Sequence, residues 1–347
     1  MGETYSNAGV DLVKEHKTIK TLTTNLQETF KNRDGKIGEV VASTGHFANY
    51  VKIGDKLFVL CTDGVGTKVL VAQMMDKYDT IAIDMIAMNV NDIICVGAEP
   101  IALVDYLAFE SQNQDVSEQI SKGLIDGAKK SGIAIIGGET AILNGVITGI
   151  DKKGFDLAGT CFGIVDEDKA ITGEKIVVGD YIVGLASSGL HSNGYSLARR
   201  ALLTDKKADE IIYDDKTIGE ELLIPTEIYV KPVLEMLEKN HDSIHGLYNI
   251  TGSGFMKFNR LKNDIGFHIT KILPIPKIFQ AIQEKGDITD YEMFKTFNMG
   301  MGFVVITDNP DSILEIAKSF EINAQVVGRI DDSRKIKIDE KNIVYDM

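Results

Sequence analysis

The string Cys61-Thr62-Asp63-Gly64-Val65-Gly66-Thr67-Lys68 gathers glycines, hydroxyls, a carboxylate and an amine into one short stretch. It follows the apolar run Lys56-Leu57-Phe58-Val59-Leu60, so it stands at the end of an expected buried strand. Backbone N–H groups of Gly64 and Gly66 can approach an anion, with the Thr67 hydroxyl beside them. Lys68 can neutralise phosphate charge, and Asp63 can hold a cation. A tight turn with solvated charges is the competing reading. A Walker A loop is excluded, because no G-x-x-x-x-G-K-[ST] occurs in the chain.

Further polar constellations follow. Asn89-Val90-Asn91-Asp92 interrupts a stretch otherwise apolar enough for a buried helix, where polar groups need partners. Internal hydrogen bonding is one reading. The other pairs Asp92 with Asp63 around Mg²⁺, which takes one or two carboxylates plus phosphate oxygens. Asp105, next to Tyr106, is a further candidate for that cluster. Gly137-Gly138-Glu139-Thr140 reads as a turn after a short strand, or, beside Asp63 and Asp92, as a source of ligands facing the same cleft. Ser187-Ser188-Gly189-Leu190-His191-Ser192-Asn193-Gly194 places hydroxyls, amides and a histidine just before an expected helix, whose free N–H groups suit an anion. His191 is expected to titrate near neutrality and to shuttle protons, or else to be an inert loop residue. No G-x-S-x-G elbow supports a serine hydrolase. Thr251-Gly252-Ser253-Gly254 is a second glycine loop, read as a phosphate nest or a capped turn. Thr296-Phe297-Asn298-Met299-Gly300-Met301-Gly302 is a third small-residue loop.

These loops need elements to hold them. An amphipathic helix is expected over 14–33, from the spacing of Ile19, Leu22, Leu26 and Phe30. Strands are expected at 56–62, 101–108, 134–136 and 157–165. Helices are expected at 80–96 and at 116–130, the latter capped by Asp115 and stopped by Gly132. After a polar break at 166–178, strands are expected at 180–186, 303–307 and 325–330. Helices are expected at 193–203, at 227–239 with Thr226 as cap, from 254, and at 311–320. The reading is α/β (α+β), in two α/β domains over 1–168 and 169–347.

A length of 347 residues with 44% hydrophobic content is enough for two cores. A formal charge of −14 argues against binding nucleic acid or an anionic membrane in bulk, so a polyanion must be held locally. Cys61, Cys95 and Cys161 form no C-x-x-C pair, which favours a reducing compartment over zinc or disulfides. With no apolar run of about 18 residues and no signal-like start, a cytoplasmic protein is expected.

In this order the strings resemble those of the phosphoribosylformylglycinamidine cyclo-ligase (aminoimidazole ribonucleotide synthetase) family. The resemblance runs through Tyr5 with Ala8-Gly9-Val10-Asp11, TDGVGTK at 62–68, NDIICVGAEP at 91–100 and GGETA at 137–141. It continues through SSGLHSNGYS at 187–196, PTEIYVK at 225–231 and TFNMGMG at 296–302. The set separates the chain from selenophosphate synthetase and thiamine-monophosphate kinase, which share the fold. Three loops depart from the family pattern. Thr44-Gly45-His46-Phe47-Ala48 stands where GGFG is common, Ile142-Leu143-Asn144 where Glu-Met-Pro is common, and Ser253 replaces the middle glycine of TGGGF.

The resemblance implies a homodimer joined through the N-terminal sheets, with ATP bound by the N-terminal domain. It implies that ATP and formylglycinamidine ribonucleotide give aminoimidazole ribonucleotide, ADP and phosphate. Asp63 and Asp92 are then the Mg²⁺ ligands. Asp63, Gly64, Gly66, Thr67, Lys68, Asn89, Asp92 and Asp105 face ATP, and Glu139, Thr140, Ser187, Ser188, His191, Asn193, Thr251, Gly252, Ser253 and Gly254 face the substrate. His191, Lys68 and Asp63 carry the chemistry. A small-molecule kinase and a non-catalytic nucleotide-binding scaffold are the alternatives; the first leaves phosphate on its product, the second shows no substrate-dependent turnover.

Overall fold

A computed structural model describes residues 2–9, 12–41, 47–260 and 262–346. Val10, Asp11 and the 44–46 part of the departing first loop lie outside them. In the first half the elements are α1 (Leu12–Leu26), β1 (Glu39–Val40), β2 (Asn49–Ile53), β3 (Lys56–Gly64), α2 (Val69–Met75), α3 (Ile81–Cys95), β4 (Glu99–Phe109), α4 (Gln114–Ser131), β5 (Ala134–Ile142) and β6 (Phe155–Asp166). The second half holds β7 (Tyr181–Ala186), α5 (Tyr195–Leu203), β8 (Ile211–Tyr213), β9 (Lys216–Thr217), α6 (Ile218–Leu222), α7 (Val230–Asn240), β10 (Ile244–Asn249) and β11 (Gly266–Ile269). It closes with α8 (Lys277–Gly286), α9 (Asp290–Thr296), β12 (Met301–Thr307), α10 (Pro310–Ser319), β13 (Ala324–Asp331), β14 (Lys335–Ile338) and β15 (Ile343–Asp346).

Among the described residues, two main sheets form, in the orders β1-β2-β3-β6-β4-β5 and β10-β12-β7-β13-β11-β14-β15. The mixed α and β content in two units is as expected, but the pairing is mostly antiparallel. Only β4–β5, connected through α4, and β11–β14 run parallel. Strands and helices alternate in the chain without building the parallel sheet that alternation suggests.

The centre of the molecule is α3. Its sequence is apolar almost all round, and every residue from Ile81 to Cys95 except Asp92 is buried. One flank lies on the first sheet, where a side chain on β6 would collide: a Cβ at Gly159 would come 2.4 Å from Met85 Sδ, and one at Gly163 would come 2.5 Å from Ile93 Cγ2. Its other flank meets the second half of the chain through β10 and α7.

Three local expectations are corrected. The cap of α4 is Asn113, whose side chain accepts from the Val116 N–H at 3.1 Å, rather than Asp115. Thr226 does not cap α7, which starts after Tyr229; its hydroxyl is engaged elsewhere. The GGETA string is not a turn but the body of β5, running beside β4. Glycine is needed there, because a Cβ at Gly138 would lie 2.4 Å from Asp105 Oδ1. The apolar residues of the 14–33 segment, Ile19, Leu22, Leu26 and Phe30, are exposed.

Candidate functional site

The surface between α3 and the second half carries two acidic groups, Asp84 and Asp92, about two helical turns apart on one flank. Asp84 is fully buried. Lys68, just past the end of β3, places its Nζ 2.9 and 2.8 Å from the two Asp84 oxygens. The same ammonium donates to the carbonyls of His191 at 3.1 Å and Ile224 at 2.7 Å. Asp84 Oδ1 also accepts from the N–H of Thr226 at 2.8 Å and from its hydroxyl at 2.6 Å. Burial lowers the Lys68 pKa and raises that of Asp84, and each is opposed by the other's charge.

The expectation that Lys68 neutralises phosphate is therefore corrected. All three N–H donors of its ammonium have protein acceptors, and the residue has no exposure. Lys68 ties the loop after β3 to two loops of the second half.

The second cluster is more open. Asp63, near the end of β3, accepts from the Gly64 N–H at 2.7 Å, so that amide is already used by a neighbouring side chain. The Asp63 carbonyl accepts from Asn89 Nδ2 at 3.1 Å. Asp92, partly buried, accepts from Asn249 Nδ2 at 2.8 Å, a bond that crosses from α3 to the end of β10. Burial pushes Asp92 up to about 7; Asn249 and the charges of Arg260 and Lys257 oppose this, while the Asp63 charge adds to it. Asp63 is also raised by burial, against the Gly64 N–H and Lys257. The Asp63 charge thus reaches Asp92, and the Lys257 charge reaches both carboxylates.

Among the described residues, no group of three or more His, Cys, Asp and Glu side chains could hold a metal on its own. Two desolvated carboxylates suit a cation that keeps oxygen ligands from phosphate or water, as Mg²⁺ does. Asn89, whose Nδ2 bonds the Asp63 carbonyl, has its Oδ1 buried with no hydrogen-bond partner among the described residues, a further acceptor on the side chain beside Asp63. The residues fit the cation.

Asp105 lies on the same sheet face and in the same row as Asp63, since both pair with Gly159 of β6. Two strand spacings, about 10 Å, separate them. Burial raises the Asp105 pKa as well. Glu139 is a correction: it pairs with Tyr106, whose side chain is 43% exposed on the opposite face, so it does not share the Asp63 cleft. Thr140 pairs with Leu107 on the inner face but is exposed at the sheet edge. Gly66, with φ +72, and Thr67 are exposed in the turn before α2.

In the second half, Asn193 meets the 251–254 loop, while Ser187, Ser188 and His191 are joined by hydrogen bonds around their own loop. A Cβ on Gly252 would lie 3.1 Å from Asn193 Oδ1, and Asn193 Nδ2 is 3.6 Å from Met88 Sδ on α3. The Ser187 hydroxyl lies 3.0 Å from both Gly189 O and Asn298 Oδ1, and Ser188 Oγ donates to Pro225 O at 2.7 Å. Gly302, from the third small-residue loop, packs under His191: a Cβ there would be 2.4 Å from Cε1 of its ring. Ser253 and Gly254 have φ +75 and +47.

His191 does not titrate near neutrality. Its side chain is 2% exposed, its Nε2 accepts from the Ser188 N–H at 3.3 Å, and burial with the nearby Lys68 charge pushes it down to about 3. It is a neutral imidazole with its proton on Nδ1.

Four residues went unnoticed in sequence. Asp84 and Asn249 look like ordinary polar residues of a helix and a strand end. Lys257 and Arg260 had a signal, a pair of cations directly after a glycine loop; both sit in the short 3-10 helix Gly254–Arg260.

The chain as a whole is similar to known proteins. Residues 45–165 match the N-terminal domain of AIR synthase related proteins, and residues 177–341 match their C-terminal domain. A phosphoribosylformylglycinamidine cyclo-ligase of Methanobrevibacter smithii is 49% identical over 340 residues, covering 96% of each chain. The enzyme of the same name from Methanocaldococcus jannaschii is 50% identical over 338 residues, covering 96% of this chain and 93% of its own. That of Pyrococcus horikoshii is 47% identical, covering 96% and 97%. Among solved structures, AaThiL complexed with AMPPCP and TMP superposes with a TM-score of 0.67 at 16% identity, covering 96% of both chains. A thiamine-monophosphate kinase from Stenotrophomonas maltophilia gives a TM-score of 0.63 at 18% identity, covering 92% and 96%. These structures share the fold.

Proposed function

The chain belongs to the AIR synthase related protein family, and on that premise we propose that it closes the imidazole ring of aminoimidazole ribonucleotide at the expense of ATP, in purine biosynthesis. The observation that carries this reading is the near-50% identity over 96% of the chain to cyclo-ligases, against 18% to a thiamine-monophosphate kinase of the same fold.

An amide oxygen is a poor leaving group. Transfer of the ATP γ-phosphoryl group to the formyl oxygen of formylglycinamidine ribonucleotide gives an imidoyl phosphate; attack by the amidine nitrogen closes the ring and expels phosphate. Such transfer depends chiefly on positioning and charge neutralisation. Asp63 and Asp92 are the residues that would hold Mg²⁺, which supplies charge neutralisation for the triphosphate when bound. Gly64, Gly66, Thr67, Asn89 and Asp105 line the nucleotide side. Lys257 and Arg260, whose charges reach the Asp63–Asp92 pair, are better placed than Lys68 to meet phosphoryl oxygens. Ser187, Ser188, Asn193 and the 251–254 loop orient the ribonucleotide. His191, neutral and with its Nδ1 proton, serves as a fixed hydrogen-bond donor and packing element.

In this reading residues 1–168 form the nucleotide and dimerisation half, and 169–347 the substrate half. The outer face of the first sheet exposes Leu60, Val104, Tyr106 and Ile136 at 40–70% and suits a second copy of the chain. No described helix is long and apolar enough to cross a membrane, and a cytoplasmic setting is proposed with the reaction. Purified chain, ATP, Mg²⁺ and the amidine ribonucleotide should yield ADP, free phosphate and aminoimidazole in equal amounts. ADP formed with phosphate retained on the organic product would overturn the cyclo-ligase reading in favour of a kinase.

A further inference from the structure

A cavity of about 470 Å³ lies between α2, α5 and the first residues of the chain, away from the Asp63–Asp92 cluster in the contacts that build it. Two strings of the family resemblance meet there: Ala8 and Gly9, with Asn7 before them, on one wall, and Ser196 on another, with Arg199 one turn further along α5. The wall formed by residues 7–9 is anchored. Glu3 N–H donates to Gly286 O at 2.9 Å, and Tyr5 N–H donates to Glu292 Oε1 at 3.0 Å. Arg200 then pins the segment through an ion pair with Glu3 at 2.7 Å and a hydrogen bond to the Asn7 carbonyl.

The neighbouring arginine is different. Arg199 is half-buried, and its Nε is shielded from solvent with no hydrogen-bond acceptor among the described residues. Burial alone accounts for the lowering of its pKa; no carboxylate among the described residues compensates it. In a chain with 51 acidic side chains, a guanidinium left without an acid at a cavity wall is a held-open position for an external anion. The other polar groups there, the Asn7 amide and the Ser196 hydroxyl, add neutral donors, while Met74 and Leu203 add apolar wall. The volume exceeds that of a bare phosphate and falls within the range of small-molecule sites.

We propose that this cavity is a binding site for a phosphate monoester, with Arg199 as the charge partner and residues 7–9 as its anchored wall. Two sources share that chemistry: the 5′-phosphate of the ribonucleotide substrate, and a free phosphorylated metabolite that binds independently of turnover. Only the first rests on the proposed reaction.

The test titrates inorganic phosphate and ribose 5-phosphate into the full-length protein by calorimetry. Wild type should bind ribose 5-phosphate more tightly than phosphate. Arg199→Met should weaken both by roughly 10- to 100-fold, the loss of one charge-assisted contact, with Arg199→Lys intermediate. Unchanged far-UV dichroism and melting temperature identify a folded variant, and the Lys variant carries the test if the Met variant does not fold. Steady-state kinetics then separate the sources. If the substrate phosphate sits here, Arg199→Met raises KM for the ribonucleotide by the same factor, kcat stays within about threefold, and ribose 5-phosphate competes. An unchanged KM with lost phosphate binding assigns the site to a free phosphorylated ligand. Wild-type affinity in Arg199→Met, or no binding of either probe to wild type, overturns the site. Because the calorimetry needs no turnover, failure of the cyclo-ligase assay leaves this result readable.

Discussion

The two acid clusters on α3 use the same parents and reach opposite ends. Each joins a residue from the end of β3 or the turn after it, Lys68 or Asp63, to a carboxylate on α3, Asp84 or Asp92, and then to the second half of the chain through Thr226 or Asn249. In the Asp84 cluster the charges are opposite, every ammonium donor is used and solvent is excluded. In the Asp92 cluster the charges are alike, the carboxylates are desolvated, and the charges of Lys257 and Arg260 oppose the rise of the Asp92 pKa. A buried pair that satisfies itself holds two halves in register. A buried pair that does not satisfy itself is a place for a ligand.

The sharpest way to break this contrast is at Asp84. Asp84→Ala strands the Lys68 ammonium in the interior and is expected to cost about 3–5 kcal/mol of stability, read from the urea midpoint. The double variant Lys68→Met/Asp84→Leu should recover most of that loss, because neither charge is then left alone. A single variant that unfolds at the wild-type midpoint would end the description of this pair as a latch.

The same kind of change at Asp63 should act in reverse. Asp63→Asn removes a desolvated like charge, so the fold keeps or gains stability. Turnover is expected to fall by 100-fold or more, since charge stabilisation by a bound divalent ion is worth several kcal/mol. A Mg²⁺ titration of the rate measures it; a wild-type Mg²⁺ response in the variant would remove Asp63 from the cation.

Asp92 gives the smaller, pH-dependent version. Its pKa of about 7 in the folded protein, pushed up first by burial, lies above the ordinary unfolded value near 3.9. The folded state therefore holds this proton more tightly. The stability it contributes is fully present below about pH 4 and is lost as pH rises to about 7. Denaturation curves of ligand-free protein should show that decline, and Asp92→Asn should flatten it. Mg²⁺ affinity should rise through the same window, because the ligand must be deprotonated. An identical pH slope in wild type and variant would contradict the assignment.

Much of this was legible in the chain. Strand and helix positions through the first half follow from apolar runs and glycine stops, and α3 announced itself by carrying amides and an acid in an apolar stretch. Sheet order was not legible, because antiparallel and parallel neighbours bury the same kinds of residue. Face was not legible for Glu139: with an extra residue, Ile136, in β5 just before Gly137 and Gly138, only register against β4 shows that it points away from Asp63. Lys68 was misread for a related reason. A lysine after DGxGT looks like a phosphate ligand, and the acid that claims it lies in a separate helix, at Asp84. The His191 pKa followed burial, which a loop sequence does not reveal.

The smallest predicted effect sharpens the open cluster from its far side. The loop before Lys257 and Arg260 carries Ser253 at φ +75, where the family resemblance has glycine. A serine in the left-handed region costs roughly 1 kcal/mol that glycine avoids, while glycine's extra freedom in the unfolded chain offsets part of the gain. Ser253→Gly should therefore raise stability by about 0.5 kcal/mol or leave it level, whereas Ser253→Val, β-branched at the same φ, should lower it by more than 1 kcal/mol. The strain also fixes how the following turn presents Lys257, so KM for ATP or ribonucleotide should move more in the valine variant than in the glycine variant. Equal kinetics in both, with the expected stability order, would make the strain a matter of folding alone and detach the loop from the open cluster.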